Sequence, residues 1–108
     1  MKVSNLAERT NLQAINAVDD KEVERVYISD MVSDIITGPK ANSILITLQT
    51  HKSLIAAANL VNVTMIVVVK GRRPADDVVD LATKAGIGLY TTSLDTWSYA
   101  KKLVELGF

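Results

Sequence analysis

Val63-Thr64-Met65-Ile66-Val67-Val68-Val69, running straight into Lys70-Gly71-Arg72-Arg73, is the stretch on which the fold turns. The run is branched and apolar at nearly every position. It is too short for a helix of ordinary length, and too apolar on both faces for a strand with one side in water. An inner strand of a parallel sheet covered on both faces has this pattern. Gly71, directly after such a strand, permits a positive φ or a close backbone approach.

Working outward, Ser43-Ile44-Leu45-Ile46-Thr47-Leu48 reads as a second strand, and the Ala-rich segment Leu54–Val61 between them as a mostly buried helix. Downstream, Pro74 opens a helix whose first turn carries Asp76 and Asp77, where acidic groups complement the dipole. Val78, Val79, Leu81, Ala82 and Ala85 form its apolar stripe, and Gly86 stops it. Ile87-Gly88-Leu89-Tyr90-Thr91 is a third short strand. Ser93 or Asp95 can cap the last helix, with Trp97, Ala100, Leu103, Val104 and Leu106 marking its buried side and Gly107 its end. Strand, helix, strand, helix, strand, helix implies two right-handed crossovers and a parallel sheet.

The first half has weaker patterns. Val3, Leu6 and Ala7 predict a short helix capped by Ser4. Gln13–Val18 and Glu22–Ile28 read as two strands joined by a turn at Asp19-Asp20-Lys21. Asp30–Thr37 predicts one or two helical turns ended by Gly38-Pro39. The expected fold is α/β, a three-layer sandwich with a mainly parallel central sheet, and residues 1–108 read as one domain. A chain of this length buries roughly 65% of its unfolded surface, enough for a core without staples. Hydrophobic residues make up 48% of the chain and aromatics only 5%, so that core is built of Val, Ile, Leu and Ala.

Composition excludes several function classes. With no cysteine there are no disulfides, thiolate metal sites or cysteine nucleophiles. His51 is the one histidine, which leaves no histidine-rich metal site. Twelve basic and twelve acidic residues cancel, so broad attraction to nucleic acid or to an anionic membrane is not expected. Neutrality with positive mean hydropathy favours self-association. No apolar segment has membrane-spanning length. Met1–Asn5 lacks the apolar core of a signal peptide, so a cytoplasmic location is expected, and Asn62-Val63-Thr64 is a chance glycosylation triplet.

In parallel α/β sheets, ligands bind beyond the carboxyl ends of the strands. Three such ends should lie side by side here: Thr47–Lys52, Lys70–Arg73 and Thr91–Thr96. They gather hydroxyls, cations and helix starts, a combination that suits a phosphate or another anion. Gln49, Thr50, His51, Lys70, Gly71, Arg72 and Asp95 are the candidate ligand-binding residues. Capping alone also accounts for Thr50, Ser93 and Asp95, and a basic pair before a helix is common. His51 shows no partner group for general-base work. Asp30 and Asp34 are spaced to share a helix face, which a solvated face explains as well as an acid–base pair does.

Other catalytic motifs are missing. Gly38-Pro39-Lys40 lacks the glycine spacing and following hydroxyl of a Walker loop, and Gly86-Ile87-Gly88 is no dinucleotide fingerprint. There is no nucleophile elbow and no aromatic platform for single strands.

The stretch Ile46-Thr47-Leu48-Gln49-Thr50-His51-Lys52-Ser53-Leu54-Ile55, then Met65–Gly71, then Ile87–Trp97, resembles the DRTGG domain family. More distantly, it is similar to the N-terminal domain of HPr kinase/phosphorylase. The resemblance spans nearly the whole chain, including Val26-Tyr27-Ile28-Ser29-Asp30. Thr50 and His51 stand where the family has Asp-Arg. Val69, Lys70 and Gly71 stand at Thr-Gly-Gly, where only Gly71 is kept, while Asp95-Thr96 agrees.

The resemblance implies an accessory domain that dimerises beside nucleotide-sensing modules, pyrophosphatases or acyl-phosphate-handling enzymes. It brings no kinase chemistry, which belongs to a separate P-loop domain. The resulting expectation is a non-catalytic homodimeric regulatory module that binds a small anionic ligand such as a nucleotide, with no cofactor or metal. The alternatives are an interaction module for a partner enzyme without a small ligand, and a hydrolase using Asp30 or His51.

Overall fold

Met65–Val68 forms β4, the middle strand of a five-stranded sheet in a computed structural model that describes residues 1–108. The other strands are β1 (Gln13–Ala14), β2 (Arg25–Ile28), β3 (Ser43–Thr47) and β5 (Gly88–Thr91), in the spatial order β1-β5-β4-β3-β2. Strands β2 to β5 are mutually parallel, and β1 joins the β5 edge antiparallel. The helices are α1 (Val3–Arg9), α2 (Val32–Ile35), α3 (Lys52–Leu60), α4 (Asp76–Lys84) and α5 (Thr96–Glu105).

Side-chain alternation on the central strands makes the three layers. Leu45, Ile66, Val68 and Leu89 point to one face, where Ile35, Leu54, Ala58, Val78 and Ala82 from α2, α3 and α4 close over them. Ile44, Ile46, Met65 and Val67 point to the other, against Val3 and Leu6 of α1 and Tyr99 and Leu103 of α5. Every residue of β3 and β4 is buried. The expected inner strand is therefore covered on both sides, and the α/β three-layer sandwich with a mainly parallel sheet is the observed fold. Three parallel crossovers are present rather than two, because β2 also runs with β3. No helix is long and apolar enough to cross a membrane.

The first half departs from expectation. Residues 13–18 and 22–28 do not form a hairpin: β1 and β2 lie at opposite edges of the sheet. The intervening chain is drawn to β5 instead, where the Asn16 amide brackets the backbone, accepting from Leu89 N and donating to Ile87 O. Ser4 does not cap α1, which begins at Val3, two residues earlier than such a cap implies, with Lys2 at the N-cap. Its amide and hydroxyl both bond to the Asp20 carboxylate, tying α1 to the segment that crosses the sheet. That pair of donors holds the Asp20 carboxyl below its usual range. Asp30 precedes α2 rather than sharing a helix face with Asp34, because Met31 is the N-cap.

Each of the two later apolar stripes holds in part: Leu103 and Leu106 of α5, and Val78, Val79, Ala82 and Ala85 of α4, pack on the core, while other members of each stripe do not. Trp97 is 72% and Val104 67% exposed, while Tyr99 and Leu103 are buried. On a helix of 3.6 residues per turn, Tyr99, Leu103 and Leu106 share one face, and Trp97, Ala100 and Val104 share another more than 100° away. The sheet takes the first. In α4, Val78 and Ala82 are buried while Leu81 stays exposed.

Candidate functional site

The parallel register sets Thr47, Val68 and Thr91 side by side, so the loops after β3, β4 and β5 open at one edge, as the sequence predicts. The loops after β4 and β5 are laced together by backbone. Lys70 N donates to Leu94 O at 2.8 Å, Gly71 N to Thr92 O at 2.7 Å, and Val69 N to Thr47 O at 3.1 Å. The Thr91 hydroxyl reaches both Val68 O and Arg72 O, and that of Thr92 accepts from Leu94 N. Thr91 and Thr92 are buried, so these hydroxyls work as struts rather than ligand contacts.

The lacing requires two consecutive left-handed residues. Lys70 has φ +60° and Gly71 φ +66°. Glycine adopts this region freely and lysine does not. The resemblance aligns a Gly-Gly pair with this bend, and here lysine fills its first position. The side chains of Lys70, Arg72 and Arg73 all stand exposed, and none lies within 4 Å of a carboxylate: the only ion pairs are Met1–Glu22 and Arg25–Glu24.

The loop after β3 is braced differently. Asp30, from the loop after β2, accepts from the Thr47 hydroxyl at 3.0 Å and from Leu48 N at 2.7 Å. Gln49 N then donates to the Thr47 hydroxyl. His51, rather than Thr50, caps α3: its Nδ1 accepts from Ser53 N at 3.2 Å and lies 2.9 Å from the Ser53 hydroxyl. Since Nδ1 is the acceptor, the neutral ring carries its proton on Nε2, which remains a free donor. Asp95 caps α5, accepting from Ser98 N at 2.8 Å. The Ser98 amide and hydroxyl hold its carboxyl below the usual range, with a smaller contribution from the Lys70 charge. An ionised carboxylate held in this way repels an anion, so Asp95 belongs to the frame of the edge.

Gln49, Thr50, His51, Lys70 and Arg72 thus line one edge as donors and cations on open surface, with Gly71 in the bend between the two cations. None of the five principal cavities reaches it. A small cavity of about 80 Å³ lies at the opposite, amino edge beside Thr64 and Gly88, and is lined by Asp19 and Asp20, which do not suit an anion. No three His, Cys, Asp or Glu side chains converge as a metal would need. Asp30 is the residue that sequence reasoning placed wrongly. Its role becomes visible only once β2 is known to lie parallel to β3, which brings the two carboxyl ends together.

The DRTGG domain matches residues 5–106. Among solved structures, the chain is similar in fold to the CBS and DRTGG domains of the regulatory region of Clostridium perfringens pyrophosphatase, a crystal structure complexed with activator, diadenosine tetraphosphate. The TM-score is 0.74 at 19% sequence identity, over 94% of this chain and 45% of that one. The chain therefore spans less than half the length of that neighbour. No curated protein matches it in sequence. With nearly its whole length inside the match, the chain belongs to the DRTGG domain family.

Proposed function

We propose that the protein is a non-catalytic regulatory module that senses a small anionic ligand, such as a nucleotide, at the carboxyl edge of its sheet. One observation carries this reading: Lys70 and Arg72 present unpaired cations on the loop after the central strand. The Nε2 donor of His51 and the side chains of Gln49 and Thr50 stand on the adjoining loop. That the regulatory region of the similar pyrophosphatase was crystallised with a nucleotide activator supports the same class of ligand. A non-catalytic role is supported by how the two candidate catalytic groups are engaged: Asp30 braces Leu48 and His51 caps α3.

The test is a thermal-shift series with ADP, ATP, acetyl phosphate and inorganic pyrophosphate. A ligand that binds only the folded chain stabilises it by about 2.7 kcal/mol at one hundred times its Kd. The expected outcome is a saturable rise in Tm that Arg72→Ala reduces. A flat response to all four ligands would remove the proposed site.

A second reading, an interaction or dimerisation module beside a partner enzyme, is favoured by the exposed face of α5. Trp97 and Val104 stand out from it beside a groove of about 350 Å³, lined only by apolar residues of β2, α5 and the C-terminus, among them Ile28, Ala100 and Phe108. An apolar face of this kind marks a protein contact. The two readings are compatible, since edge and face lie on different parts of the molecule.

A further inference from the structure

Four residues other than glycine adopt a positive φ: Asn11 at 62°, Asn42 at 64°, Asn62 at 57° and Lys70 at 60°. Three of the four are asparagine, whose short amide tolerates the left-handed region. Lysine lacks that tolerance, because its Cβ crowds the carbonyl that follows. Yet Lys70 is held there firmly, its amide bonded to Leu94 O and the next amide to Thr92 O.

Inside the fold the side chain gains only a weak attraction to the Asp95 carboxylate in return. It is exposed and forms no ion pair. An observed backbone outlier whose side chain forms no hydrogen bond or ion pair within the fold points to a use outside it. The loop's amides cannot supply that use, since those of Lys70, Gly71 and Arg72 all bond to carbonyls within the protein. An anion at this edge meets side-chain charge, not a backbone cradle. Two residues on, Arg72 adds a planar fork to the point charge of Lys70 on the same exposed loop, and a fork with a point charge suits two linked phosphoryl groups.

Resting on the anion-site reading above, we propose that Lys70 is the specificity-determining cation of the carboxyl edge, held in a strained backbone so that it and Arg72 grip a diphosphate group. The charge is the purpose of the residue, and the strain is tolerated for it.

Calorimetric titration of the full chain with inorganic pyrophosphate, paired with scanning calorimetry of the free protein, tests this. Lys70→Gly relieves the strain and removes the charge, Lys70→Asn does the same with a side chain this fold accepts at positive φ, and Lys70→Arg keeps the charge. Lys70→Gly is expected to melt about 2–5 °C above wild type, with Lys70→Asn no lower than wild type. Both should lose at least about tenfold in pyrophosphate affinity, as removal of a charged hydrogen bond does, while Lys70→Arg retains it. A Lys70→Gly chain that melts below wild type would show that no strain is stored there and would overturn the inference. Wild-type binding that Lys70→Gly leaves unchanged would remove the role of Lys70 alone. A wild-type chain that takes up no pyrophosphate would remove the anion-site reading and this assignment with it.

Discussion

Tyr99 shows how single side chains hold the two halves together. Its ring is fully buried between α5 and the sheet, and its hydroxyl lies 3.0 Å from that of Thr10. The one proton of Thr10 goes to Leu6 O, so Tyr99 must be the donor. Burial pushes the Tyr99 hydroxyl up from 10.0 to about 12. The folded state therefore holds this proton more tightly than the unfolded chain. Its contribution is fully present below pH 10 and is lost as pH rises from 10 to about 12. Tyr99→Phe should cost about 1 kcal/mol at neutral pH, and its stability should fall less than that of wild type between pH 8 and pH 11. Urea unfolding at the two pH values measures both effects, and equal losses in the two proteins would contradict the assignment.

Among the elements, α5 and β2 separate what sequence pattern can tell from what it cannot. The centre was legible because β3 and β4 are apolar on both faces, a composition that only a doubly covered strand explains. The edge loops were legible for the same reason, since parallel strands dictate which loops meet. Ser4, Asp30 and Asn16 were not legible, because each bonds to a segment whose place is set by β1 joining β5 and β2 joining β3. In α5 the sequence carries two apolar stripes of similar strength, and no periodicity tells which one meets the sheet. The unused stripe makes its own prediction. Trp97→Glu with Val104→Glu removes exposed apolar surface without touching Tyr99 or Leu103, so the fold should keep its Tm within about 2 °C, as surface changes do. Sedimentation velocity should show wild type self-associating and the double variant monomeric. A wild type that stays monomeric across concentrations would contradict dimerisation through this face.

At the scale of the whole molecule, the two faces of the sheet are closed by helices and its carboxyl edge is left open. Structure and chemistry divide accordingly. The core of aliphatic side chains stabilises a sheet whose register aligns three loops, and the loops hold one another by backbone bonds, leaving Lys70, Arg72 and His51 with unpaired charge or a free donor. Net charge is zero, so the proposed binding rests on this local arrangement rather than on a field over the whole surface. The most direct measurement is an amide-resolved NMR titration of the chain with pyrophosphate and then ADP. Saturable shifts are expected, centred on Gln49, Thr50, His51, Lys70, Gly71 and Arg72, with α5 outside the affected set. Shifts confined to Trp97, Val104 and Ile28, or an unchanged spectrum at millimolar ligand, would contradict it.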